Sequence, residues 1–456
     1  MGLNSRACGV GGPGESWGML FRWCAVFGLM CLALNARGQA LDGLVASPEL
    51  WETQRSDFVE KHGAMGFYWL SEARDRAETH LRSVTLFSEP VCEVDAEFGG
   101  EKLSGLTFSI YNRGDAADIT REQLTALVTY CTNQLTALTK VQWADEGQEA
   151  SDAVKAHALV WRTAVSDYRL EYSFTREVKT LGVPFRAEFV RLRITPAEKP
   201  KSFMAEALAS ASPQGVVFDG PSHVKKDVSG DVRIETVPMV DQGQKGYCVV
   251  ATAERVMRYY GIPVDEHELA EMANTSATRG TSDAAMLDSL KKLSQRLQVK
   301  VRFLEGMDVR QILALIREYN LRAREAQQPV VPDQGPVLDV QQIYTAMNPA
   351  LLKAARTHNK AEVDRFQQMV QDHIDQGIPI LWSVIVGVVP EANVPKGIGG
   401  HMRLIIGYNT STNQILYSDS WGPGFELERM PVGDAWTMTT AMNTIEPIGG
   451  SEDEGP

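Results

Sequence analysis

A helix with sharply marked ends governs how the C-terminal half of this chain can be built. Gly243-Gln244-Lys245-Gly246 reads as a loop, and Val249–Tyr260 as a helix stopped by Gly261 and then Pro263. Cys248 therefore stands at a helix N-terminus, where unpaired N–H groups and the helix dipole favour the thiolate, the nucleophilic form. A cysteine taken alone is most often a core residue. What sets Cys248 apart is its company along the chain. Gln242, six residues earlier, can fold back so that its amide donates to an oxyanion forming near Cys248.

A nucleophilic thiolate needs a base and a group to orient that base. Gly399-Gly400-His401 places a histidine at the mouth of the apolar strand Met402–Tyr408, and Ile415–Trp421 carries Asp419 at the end of the next strand. A turn around Asn409–Asn413 makes these two strands a hairpin and brings His401 beside Asp419. One imidazole nitrogen can then donate to Asp419 while the other faces Cys248. Singly, His401 reads as a strand-end histidine and Asp419 as a turn former before a structural Trp421, which is placed to pack over the His–Asp pair. Order and context together favour a catalytic reading.

The order Gln242, Cys248, His401, Asp419, followed by Ser420-Trp421-Gly422, resembles papain-like cysteine peptidases, and most of all the double-glycine (bacteriocin-leader) peptidases and their stand-alone relatives. The matching segments are Asp241-Gln242, the Cys248 helix, Gly400-His401 with its strand, Asp419, and the turn Gly280-Thr281-Ser282. The resemblance spans residues 231 to 448. It implies an α+β fold in which the nucleophile helix packs on an antiparallel sheet, and a peptidase acting on a peptide or protein substrate through Cys248, His401 and Asp419. Gln242 is the implied oxyanion donor, and no cofactor or metal is implied. Departures narrow the match. Lys245-Gly246-Tyr247-Cys248-Val249 lacks the Cys-Gly-Ser/Ala-Cys-Trp/Tyr signature of papain itself, and Asp419 stands where papains use Asn. The absence of a Gly-x4-Gly-Lys-Ser/Thr motif argues against the peptidase end of a transporter. The stretch from about Glu305 to Arg365 is long for such a domain and reads as an insertion over the cleft. Two other readings stay open: a silent peptide-binding pseudo-peptidase, and a transglutaminase-like acyltransferase, which also orders Cys, His and Asp.

Residues 1–40 read as an export leader. Trp23–Leu34 is apolar but would rise only about 18 Å as a helix, short of a hydrocarbon core of roughly 30 Å. It follows Arg22 and ends in Gly38-Gln39-Ala40, the parts of a signal peptide cleaved after Ala40. The expected location is periplasmic, cell-surface or secreted, with no membrane span in the mature chain. Residues 41–198 read as a separate α+β domain of unassigned role. Its signals are a capping box at Thr120–Gln123 opening a helix with the stripe Leu124, Leu127, Val128, Cys131, Leu135 and Leu138, a hairpin from Val91–Phe98 to Leu103–Tyr111, and alternating strands around Leu170–Thr175 and Val190–Ile194. A Pro/Ser/Ala-rich linker, 199–230, leads to the peptidase domain, 231–448, and an acidic tail, 449–456.

A chain of 456 residues has room for these parts. Its net charge of −13 argues against a phosphate-binding surface and so against nucleic acid as partner. Three cysteines remain beyond the leader: Cys92 and Cys131, read either as a disulfide or as two buried thiols, and Cys248. Among the other histidines none shows a spacing such as His-Glu-x-x-His. His267, on a polar helix start, reads as solvated.

Overall fold

The computed structural model describes residues 39–448 apart from 82, 151–154, 178–179, 181, 198–217, 244–245, 263, 277–280, 282, 333–337, 393 and 395–396. The expected leader, apart from Gln39 and Ala40, the first part of the linker and the acidic tail lie outside these residues. Gln39–Ala40 form a short strand beside Val84–Thr85.

The N-terminal region is built on an eight-stranded antiparallel sheet. In chain order its strands are β1 (Tyr68–Trp69), β2 (Arg76–Thr79), β3 (Glu93–Gly99), β4 (Lys102–Asn112), β5 (Ala144–Ala150), β6 (Lys155–Arg162), β7 (Ser166–Thr175) and β8 (Arg186–Pro196), arranged β1-β2-β3-β4-β8-β7-β6-β5. Helix α1 (Arg121–Thr139) opens on the expected capping box: the Thr120 hydroxyl accepts from the Gln123 N–H, and the Gln123 side chain accepts from the Thr120 N–H. Its buried stripe, Leu124, Cys131 and Leu135, joins a core with Trp161, Leu170 and Leu192. No disulfide forms. Cys131 is buried and Cys92 half-buried, both as thiols, and burial pushes the Cys131 thiol up to about 12.

A second sheet belongs to the C-terminal region. It contains β9 (Val224–Lys226), β10 (Asp231–Ile234), β11 (Val299–Gly306), β12 (Ile380–Val386), β13 (Gly399–Asn409), β14 (Gln414–Ser418), β15 (Glu428–Pro431) and β16 (Thr439–Pro447). Its main path runs β9-β10-β13-β12-β16-β11, with β14 paired to β13 and β15. The helices are α2 (Cys248–Tyr259), α3 (Glu266–Met272), α4 (Asp283–Leu297), α5 (Val309–Glu325), α6 (Val340–Thr345), α7 (Pro349–Arg356), α8 (Lys360–Ile374) and α9 (Val432–Met438). Helix α2 lies on β13, and almost all of its side chains are buried. Helices α5, α7 and α8 add Ile312, Leu315, Tyr319, Leu352 and Phe366 to the same core.

The two regions meet along the second face of the N-terminal sheet, and this corrects a simple alternation. Glu171, Ser173 and Arg191 occupy the polar positions of β7 and β8, yet all are buried, because α3 and its flanks cover them. Arg191 pairs with Glu171 in its own sheet, with Asp265, the N-cap of α3, and with Glu268 of α3. His267 is not solvated: it is 3% exposed, 3.0 Å from the Ser109 hydroxyl and against the Phe189 ring.

Candidate active site

Cys248 is the first residue of α2, with Tyr247 as N-cap and no side chain capping the first turn. Its partly exposed thiol is hydrogen-bonded to the His401 imidazole. His401 comes from the third position of β13, and Asp419 follows directly on β14. The expected hairpin exists. Strands β13 and β14 pair from Asn409–Gln414 to Leu404–Ser418, and Asn413 takes φ +55° at the turn. His401 Nε2 thus lies 2.6 Å from Asp419 Oδ1, which leaves Nδ1 for the thiol side. The Trp421 ring stacks on the imidazole, centroids 4.6 Å apart.

Electrostatics bias this pair towards charge separation. Burial disfavours an imidazolium, but the Asp419 carboxylate and its hydrogen bond outweigh that cost, pushing His401 up to about 9. The same interactions, with Arg403, hold Asp419 below the usual carboxylate range despite its burial.

Gln242 is buried 178 positions away from Ser420 in sequence and hydrogen-bonded to it twice. Its N–H donates to the Ser420 carbonyl at 2.8 Å, and its Oε1 accepts from the Ser420 hydroxyl at 2.7 Å. With Oε1 taken, the amide nitrogen is turned away from Ser420. Asp241 fixes the loop before it, accepting from the Gly243 N–H at 2.8 Å and from the Tyr68 hydroxyl at 2.6 Å. Of the Gly280-Thr281-Ser282 turn, Thr281 is described, and its hydroxyl donates to the Gly246 carbonyl at 3.2 Å. Contacts therefore run from Cys248 to His401 and from His401 to Asp419, while Gln242 is bonded to Ser420, the residue after Asp419.

Two arginines were missed by the sequence reading. Arg403, fully buried, donates through Nε to Asp419 Oδ2 at 2.7 Å and through Nη1 to Glu391 at 2.6 Å. Its signal was the two-residue step from His401, which puts both on one face of β13. Arg255, on α2, donates to the carbonyls of Pro238 and Asp419 and to the Ser418 hydroxyl. It ties the nucleophile helix to the Asp419 turn.

The N-terminal region also reaches this site. Tyr247, beside Cys248, is fully buried and donates its hydroxyl to Asn112 Oδ1 at 2.5 Å. Its ring lies so close to Gly114 that a Cβ there would fall 1.9 Å from it.

Residues 234–441 match the Peptidase_C39 like family. By this match, that part of the chain is a C39-like cysteine peptidase region. No curated protein matches the chain. Among solved structures, the chain is similar to xylellain, a cysteine protease from Xylella fastidiosa, at 14% identity over 52% of this chain and 93% of that one, with a TM-score of 0.26. A likeness that loose adds nothing to the assignment of the C39-like domain. Among the described residues, no helix is long and apolar enough to cross a membrane.

Proposed function

We propose that the C39-like domain hydrolyses peptide bonds through a Cys248–His401–Asp419 triad with Gln242 as oxyanion donor. The observation that carries this reading is the chain of contacts from the Cys248 thiol to His401 and on to Asp419 Oδ1 at 2.6 Å. The His401 imidazolium stabilises the Cys248 thiolate, and the thiolate attacks the substrate carbonyl carbon. The oxyanion is held by the Cys248 N–H at the start of α2 and by the Gln242 amide. The imidazolium then protonates the leaving amine, giving an acyl-enzyme. His401 next removes a proton from water, the hydroxide displaces the thiolate, and the acid product leaves. Asp419 keeps the ring in the tautomer and orientation these steps need.

The rest of the reading concerns organisation. Residues 1–40 are an export leader, 41–198 an N-terminal domain, 199–230 a linker whose segment Val224–Lys226 pairs into the C-terminal sheet, 231–448 the peptidase domain and 449–456 a tail. The substrate is a peptide or protein outside the cytoplasm, and nucleic acid is not a partner.

The test is a proteome-wide cleavage profile of the mature protein against Cys248→Ala. Cys248→Ala abolishes turnover and His401→Ala nearly does. Gln242→Ala costs about 100- to 1,000-fold in rate, the usual loss of one oxyanion donor. Asp419→Asn is milder than Asp419→Ala, because an amide still orients the ring. Cleavage that persists in Cys248→Ala overturns the assignment, and amine incorporation in place of hydrolysis moves it to an acyltransferase.

A further inference from the structure

The polar face of the N-terminal sheet carries a second cluster of reactive side chains, separate from the triad. Glu78 is the third residue of β2, His80 follows two residues later on the same face, and Glu93 begins β3. Strands β2 and β3 are antiparallel, pairing Glu78 with Asp95 and Thr79 with Val94. One further step in that register brings His80 level with Glu93. No regular spacing along the chain announces the cluster, because a hairpin and not a helix assembles it.

One donor atom from each of the three residues lies within 4.8 Å of the others. His80 Nε2 is 2.8 Å from Glu78 Oε1, and His80 Nδ1 is 3.6 Å from Glu93 Oε2. Both glutamates are 1% exposed. The short His80–Glu78 approach lacks the alignment of a hydrogen bond, and Glu78 Oε2 is fully buried with no hydrogen-bond partner. Such a carboxylate oxygen, buried and unsatisfied, is costly unless a cation satisfies it. The nearby guanidinium, Arg76, is already shared with Asp95 at 2.7 Å and Glu254 at 3.9 Å.

We infer that Glu78, His80 and Glu93 bind a divalent cation of the zinc class. One imidazole nitrogen and two carboxylate oxygens are a donor set that suits Zn²⁺, with water completing a four-coordinate shell. Small side-chain shifts would bring the donors onto bonds of about 2.0–2.2 Å. The cation has a structural role, because its place in the sheet joins it to the peptidase domain. Tyr68 is the direct cross-strand neighbour of Glu78, and its hydroxyl donates to Asp241, the residue before Gln242. A cation on β2 and β3 therefore stiffens the edge of the sheet that holds the Asp241-Gln242 loop.

The test uses the mature full-length chain as Cys248→Ala, which removes a competing thiol, dialysed against EDTA and titrated calorimetrically with ZnCl₂. The expected result is one Zn²⁺ per chain and a melting temperature raised by about 3–5 °C at saturating metal. Glu78→Gln, nearly isosteric, and His80→Ala in the same background weaken binding by about 100-fold or more, since even outer-shell partners of a metal are worth 10- to 100-fold. Glu93→Gln is a second conservative variant should His80→Ala fail to fold. Absence of binding, with His80 simply held between two carboxylates, overturns the inference. So does zinc binding that is unchanged in Glu78→Gln and Glu93→Gln. These readouts do not depend on peptidase activity, so failure here leaves the triad reading standing.

Discussion

Asp419 keeps its charge between two cations, His401 and Arg403, with no exposure to water. This single carboxylate decides how the site answers to pH. His401 is raised from 6.5 to about 9 in the folded chain. Below pH 6.5 the ring is charged in both folded and unfolded states, and its pairing with Asp419 contributes in full. Between 6.5 and 9 the folded state holds a proton that the unfolded state has released, so this contribution falls as pH rises and is gone above 9. Urea unfolding of wild type and His401→Ala should therefore differ more at pH 6 than at pH 9.5; an equal difference at both refutes the coupling. Arg403 is the complementary case. Arg403→Met leaves Asp419 and Glu391 buried with a cation removed, and removing one partner of a buried pair costs about 3–5 kcal/mol. Arg403→Lys should also destabilise, since one ammonium cannot reproduce the fork that reaches Asp419 through Nε and Glu391 through Nη1. Denaturant midpoints within error of wild type for both variants would show that the pairing matters little.

At the level of elements, the site depends on two turns held face to face: the Asp241-Gln242 loop and the Ser420–Gly424 turn after β14. Gly422 takes φ +85°, and a Cβ there would lie 2.3 Å from Asp241 Oδ2. Gly424 takes φ +92° with nothing near its Cβ position. The two glycines form a matched pair. Gly424→Ala meets only the left-handed backbone cost of about 1–2 kcal/mol. Gly422→Ala meets that cost and also displaces Asp241, and with it Gln242. On a cleaved substrate the expected outcome is a fall in kcat for Gly422→Ala well beyond that of Gly424→Ala at similar stability loss. Equal kcat values for the two would mean that the loop contact does not position Gln242.

For the whole molecule, the peptidase domain is not finished by its own residues. Tyr247, His267 and Glu268 are buried because the N-terminal sheet covers them, and Arg113 donates to Asn274 and to the Thr275 carbonyl across the same boundary. A chain beginning at residue 218 would expose these groups and lose the clamps on Tyr247 and Asp241. It should melt below a chain of residues 41–456 and bind a hydrophobic dye that the longer chain does not; equal melting temperatures would sink this view. The N-terminal domain thereby gains a role that needs no activity of its own, as a brace for the loop and helix that carry Cys248.

Local signals in the chain were enough to place the capped helix α1, the β3–β4 hairpin, the Cys248 helix and the hairpin that sets His401 beside Asp419, because each depends on spacing, turn residues and apolar periodicity within a short segment. Chain order alone named Gln242, Cys248, His401 and Asp419 as candidates; contacts link the last three, and Gln242 is bonded to Ser420 beside them. The brace, the buried His267, the Arg403–Glu391 pair and the Glu78–His80–Glu93 cluster were beyond such signals. Alternation marks a strand face as polar whether water or another domain covers it. Strand pairing and domain docking are contacts between segments tens to hundreds of residues apart, and only the folded chain determines which polar face is solvated and which is shut between two layers.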